Sequence, residues 1–123
     1  MKATNTGIKR ILKAFVYSYQ GFVASFKSEA AFRQDLVVFV VGIIAALLIP
    51  FSWIEKLLLI SSLFLILLME LVNTAIEVVV DRISDDYHQL SGRAKDIGSL
   101  LVLISFINAG IIWTTILYKH FLG

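Results

Sequence analysis

The sequence predicts an all-α integral membrane protein: an amphipathic helix on the membrane surface, followed by three membrane-spanning helices. Three observations predict it. Of the 123 residues 59% are hydrophobic, and the mean hydropathy is +0.87, more apolar surface than a soluble domain of this size can hide. Three long stretches with few or no charges are separated by short polar breaks. Finally, Glu70, Asn73, Glu77 and Asp81 continue a segment whose preceding part, Leu57–Met69, is thirteen residues without a charge. At about 100° per residue these four side chains project from a helix within an arc of about 80°. Carboxylates on so apolar a segment are costly in lipid and mark a functional site by default.

The whole chain, 1–123, is read as a single membrane domain. Its first element is a helix over about 6–27. There Ile8, Ile11, Leu12, Phe15, Val16, Tyr19, Phe22, Val23 and Phe26 keep the i, i+3, i+4, i+7 pattern, with Lys9, Lys13 and Lys27 on the flanks. Such a helix lies in the membrane interface; the alternative is packing on a protein core. Asn5 or Thr6 is placed to cap it. The first span covers about 30–50. Leu36–Phe51 is free of charge, Gly42 and Ala46 allow another helix to come close, and Pro50 ends the run.

Ser52-Trp-Ile-Glu55 reads as a capping box opening the second span, over about 53–83. A helix of that length measures about 45 Å against a hydrocarbon core of about 30 Å, so its end with Asp81 and Arg82 reaches water. A polar loop, Ser84–Gly92, follows. Ser91 is the expected cap of the third span, over about 91–119, whose segment Ile97–Tyr118 lacks charge; Trp113 and Tyr118 suit the far interface.

Lys2, Lys9, Arg10, Lys13, Lys27, Arg33, Arg82, Arg93 and Lys95 stand on one side, against Lys56 and Lys119 on the other. The excess of positive charge puts the N-terminus and the loop between spans two and three in the cytoplasm, and the C-terminus outside. The chain has no cysteine, which excludes thiol chemistry and disulfides, and its net charge of +2 is too small and dispersed for nucleic acid. The N-terminal apolar residues are interleaved with cations, unlike a secretory signal peptide.

Depth orders the acids: Glu77 lies about 6 Å and Glu70 about 16 Å below Asp81 by helix rise. A deep carboxylate suits proton transfer, and a shallow one suits a hydrated cation. Glu29 offers a second carboxylate, while Lys95 and Arg10 can neutralise phosphate. Other uses of the same residues stay open. Asn73 serves equally as contact between helices, Lys95 and Asp96 as a solvated helix start with Asp96 at its positive end, and His88 as a solvated loop residue. Gly98, Ser99 and Gly110 serve equally for close packing. No phosphate-binding G-x-x-x-x-G-K-[ST] motif is present. Physics alone therefore leaves both a kinase and a proton- or ion-conducting subunit.

Three motifs add a resemblance: Glu29-Ala-Ala-Phe-Arg-Gln-Asp35, Glu70-Leu-Val-Asn-Thr-Ala-Ile-Glu77-Val-Val-Val-Asp81 and Leu90-Ser-Gly-Arg-Ala-Lys-Asp96. They resemble the small integral-membrane bacterial diacylglycerol kinases, a family that includes undecaprenol kinases, and the likeness extends over essentially the whole chain. Ser91-Gly-Arg93 is more similar to the diacylglycerol branch. The resemblance implies an inner-membrane homotrimer with shared sites, using MgATP to phosphorylate a lipid hydroxyl; diacylglycerol would yield phosphatidic acid. It implies that Glu70 is the general base and that Glu29 and Glu77 hold Mg²⁺. Arg10, Tyr17, Glu29, Glu77, Asp86, Tyr87, His88, Lys95 and Asp96 would contact ATP. Arg10, Ala14, Arg33, Glu70, Ser99 and Trp113 would line the lipid side, with Asn73 and Asp81 as supporting polar residues. Asp35 stands where the family pattern leads one to expect Glu, and it is assigned no role.

Overall fold

The computed structural model describes residues 6–123, so Lys2 and the proposed cap Asn5 lie outside the described residues. Four helices follow one another: α1 (Gly7–Ser28), α2 (Ala30–Leu48), α3 (Trp53–Ile83) and α4 (Gln89–Phe121). The last three are each long and apolar enough to cross a membrane. Thr6 occupies the N-cap position of α1, but its side chain makes no capping bond.

Helix α3 is central and packs on both α2 and α4, most extensively on α4. The inward side of α2 carries Phe32, Asp35 and Ala46, all buried. Gly42 shares that side, and a Cβ there would come within 2.6 Å of Leu63 Cδ1, so the small residue sets how closely α2 approaches α3. Phe39 and Phe64 meet edge to face at 4.9 Å across the same contact.

The turn between α2 and α3 is short for local reasons. Ile49 leaves the helix before Pro50, and the capping box is complete: Glu55 N–H donates to Ser52 Oγ (3.2 Å) and Ser52 N–H to Glu55 Oε1 (3.0 Å). Lys56 Nζ donates to Leu47 O (3.2 Å) at the end of α2, and Lys119 Nζ reaches Glu55 Oε2 (3.1 Å) from α4. Beneath these bonds Ala46, Phe51, Leu59 and Ile116 form the apolar core of this end of the bundle.

The expected start of α4 is corrected. The helix begins at Gln89 rather than near Ser91, and its N-cap is His88, whose Nδ1 accepts from Leu90 N–H at 3.0 Å. A neutral ring nitrogen serves as well as a hydroxyl when the helix starts earlier. The loop shrinks accordingly, and Asp96 lies two turns into the helix, too far in to gain from its N-terminal dipole. The Trp113 N–H turns inward to Ser62 Oγ (3.0 Å), because an indole donor inside an apolar bundle needs an acceptor.

Candidate active site

The column read from the sequence is graded in burial along α3. Glu70 is 5% exposed and Thr74, one turn on, 6%. Asn73 and Glu77 are half-buried and Asp81 is exposed. Each member meets a different neighbour.

Glu70 faces α2, where the Asp35 carboxyl is its neighbour, and Glu29 and Glu77 are close enough to act on it electrostatically. Glu77 in turn feels Glu29, Lys95 and Asp81. Thus the residues expected to serve as base and metal ligands converge on one acidic region where α2 meets α3. Neither the Glu29 nor the Glu77 carboxylate is hydrogen-bonded to another described side chain. Among the described residues no group of three or more acids, histidines or cysteines has the geometry of a closed metal cage.

Asn73 faces α4. A Cβ on Gly98 would collide with Asn73 Oδ1 and lie 3.5 Å from Asn73 Cα, so glycine is what lets the two backbones close at this level. One turn toward the start of α4, Lys95 Nζ donates to Asp81 Oδ1 at 2.8 Å. Both partners are well exposed, so the pair orients a cation more than it stabilises the fold.

The loop is tethered locally. Asp86 N–H donates to Ser84 Oγ (3.0 Å), and the Tyr87 ring lies over Gly92, where an added Cβ would stand 3.3 Å from it. With Nδ1 of His88 engaged by Leu90, only its Nε2 remains for a ligand. On α1, Arg10, Ala14 and Tyr17 share one side at i, i+4 and i+7 and are exposed. The chain itself does not bring them against Glu77 or Lys95. Nor are the residues expected on the lipid side clustered. Arg33 reaches back to α1, Ser99 is exposed beside Gly98, and Trp113 meets Ser62. Ser62 lies about 12 Å along α3 from the level of Glu70.

Asp35 is the site residue that sequence reasoning left without a role. Its Oδ2 is buried with no hydrogen-bond partner among the described residues, as are Asn73 Oδ1 and Thr74 Oγ1. The signal was available: Asp35 falls on the same side of α2 as Phe32, Gly42 and Ala46, which is the inward side. Thr74 has no signal in the sequence, because a lone threonine in a helix carries no pattern.

The fold is that of a three-span α-helical membrane protein whose α3 carries a column of acids, met at Asp81 by a lysine from the next helix. The model of the prokaryotic diacylglycerol kinase family matches residues 16–117. A protein named diacylglycerol kinase from Escherichia coli strain K12 is 47% identical over 121 residues, covering 98% of this chain and 99% of the relative. Namesakes from Pseudomonas aeruginosa and Haemophilus influenzae are 46% and 42% identical, covering 91% and 92% of this chain and 91% and 96% of themselves. The chain belongs to the prokaryotic diacylglycerol kinase family, and it is a kinase.

Proposed function

We propose that this membrane kinase transfers the γ-phosphoryl group of ATP to the free hydroxyl of diacylglycerol, giving phosphatidic acid and ADP. The observation that carries the reading is that Glu29 and Glu77 lie near enough to Glu70 at the α2–α3 contact to act on it electrostatically, with Lys95 held at the same end by Asp81.

Each residue has a task set by its depth. Glu70, the most enclosed of the acids on α3, takes the proton of the lipid hydroxyl as its oxygen bonds to the γ-phosphorus. The bond from that phosphorus to the β–γ bridging oxygen breaks, and ADP leaves with the negative charge. Lys95 and Arg10 bind phosphate oxygens. Asp81 holds the Lys95 ammonium in place. Tyr17, Asp86, Tyr87, Asp96 and Nε2 of His88 contact the rest of the nucleotide. Ala14, Ser99 and Trp113 belong to the lipid side, with Trp113 at the depth of the acyl chains.

Glu29 and Glu77 would hold Mg²⁺. Two carboxylates free of other side-chain bonds, completed by substrate phosphates and water, are the donor set this ion prefers, and a closed protein cage is not needed. When bound, the ion supplies charge neutralisation at the transferring phosphate.

The enzyme works as a homotrimer with sites shared between subunits. Three buried polar atoms near Glu70 find no hydrogen-bond partner among the described residues, and in hydrocarbon such groups need another helix, water or substrate. The family resemblance supports three subunits in the bacterial inner membrane, with the N-terminus and the α3–α4 loop cytoplasmic and the C-terminus periplasmic. Helix α1, almost wholly exposed with Ile8, Leu12 and Phe15 uncovered, lies on the membrane surface.

The test is ATP turnover by the purified, reconstituted protein with diacylglycerol, with undecaprenol and with neither. Turnover stimulated by diacylglycerol supports the proposal. A preference for undecaprenol reassigns the lipid. ATP left untouched by either lipid would sink the kinase reading.

A further inference from the structure

The bend between α1 and α2 consists of one residue, Glu29. It is at once the C-cap of α1 and the N-cap of α2, in extended geometry at φ −119° and ψ 109°. An acid at an N-cap commonly turns its carboxylate onto the first N–H groups of its own helix. The Glu29 side chain makes no such bond, although its backbone is tied on both sides: its N–H donates to Ser25 O (2.9 Å) and its carbonyl accepts from Arg33 N–H (3.3 Å). The carboxylate is thereby left available at a fixed point of the chain.

Arg33 fixes that point from the other side. One turn into α2, its Nη1 reaches back across the bend to Phe26 O (2.6 Å) and Lys27 O (3.3 Å). These carbonyls lie in the last turn of α1, where the helix supplies no further N–H donors. A guanidinium there also meets the negative end of the α1 dipole. On the inner side of the bend Phe22 packs edge to face on Phe32 at 5.5 Å. The Arg33 bonds and this aromatic pair both tie the end of α1 to the start of α2.

We infer that Arg33 is a positioning residue for the metal: by clasping the end of α1 it fixes the bend at which Glu29 is presented toward Glu77. This rests on the reading of Glu29 and Glu77 as the Mg²⁺ ligands. It differs from the role in lipid binding that the family resemblance implies for Arg33, because Nη1 of the guanidinium is bound to the backbone of α1. Lysine is a partial substitute, since an ammonium reaches the same carbonyls as a point charge without the planar fork.

The experiment compares the parent with Arg33→Gln, Arg33→Lys and Glu29→Ala, each reconstituted in lipid. Mn²⁺ replaces Mg²⁺ so that binding in the presence of a non-hydrolysable ATP analogue can be read from the free-ion EPR signal. Arg33→Gln is expected to weaken Mn²⁺ binding by about tenfold, as loss of an outer support of a metal ligand does, with Arg33→Lys in between. The diacylglycerol concentration for half-maximal rate should stay unchanged in both. A rise in that concentration with Mn²⁺ binding intact would overturn the inference and return Arg33 to the lipid. The chain has no cysteine, so spin labels on cysteines introduced at Lys13 and Val40 report the bend directly, diluted with unlabelled chain. The distance distribution should broaden in Arg33→Gln; an unaltered distribution overturns the clasp. If Glu29→Ala binds Mn²⁺ like the parent while the distribution broadens, the clasp stands and the metal reading of Glu29 is what has failed.

Discussion

Lys95 on α4 and Asp81 on α3 are joined by a 2.8 Å ion pair at the polar end of the bundle, fourteen residues apart in sequence. It is the one side-chain bond that links the acidic column to the start of the next helix among the described residues. An exposed pair adds only about 0.2–1 kcal/mol to stability. Asp81→Asn should therefore unfold close to the parent, while the concentration of ATP for half-maximal rate rises about three- to tenfold as Lys95 loses its fixed position. Turnover and thermal unfolding measured on the same preparations check this. A variant less stable by several kcal/mol with unchanged ATP dependence would make the pair purely structural.

Glu70→Gln keeps the shape of the side chain and removes the proton acceptor. Turnover should fall by about 10²–10⁴-fold while nucleotide affinity changes little. Rapid-quench measurement of the phosphoryl-transfer step, with nucleotide binding followed separately, is the check; near-normal transfer rules out Glu70 as the base.

Glu29→Ala and Glu77→Ala should each raise the Mg²⁺ concentration needed for turnover at saturating ATP and lower the maximal rate, since the remaining carboxylate holds the ion weakly. Asp85→Ala, in the exposed loop, should titrate like the parent. The reverse pattern would move the metal site into the loop.

Gly98→Ala places a methyl group against Asn73, including its backbone. Overpacking of this kind costs about 1–3 kcal/mol, and here it also displaces a polar group beside Glu70. Both the unfolding temperature in detergent and the turnover should drop. Gly110→Ala, whose added Cβ meets nothing within 4 Å, is the control and should change the unfolding temperature less.

Shared sites predict complementation. A chain inactivated at Glu77 and another inactivated at Lys95 should recover activity when mixed in one oligomer, because some sites then draw intact residues from both. No recovery, with mixing verified by cross-linking, would confine each site to one subunit.

The sequence by itself determined what is local or periodic. Charge-free length gave the three spans, Ser52 and Glu55 gave the start of α3, and the spacing of Glu70, Asn73, Glu77 and Asp81 gave a single graded column. Helical periodicity and capping act over a few residues, so they can be read along the chain. The start of α4 was misread because serine is the commoner cap and His88 a rarer one. Only the tertiary structure decided which side chains meet across helices. Asp35 against Glu70, Arg33 clasping α1, Gly98 against Asn73 and Trp113 on Ser62 depend on the rotation of one helix against the next. That rotation is set by where small residues let backbones close and where buried polar groups find partners, which is a property of paired surfaces and not of either helix alone.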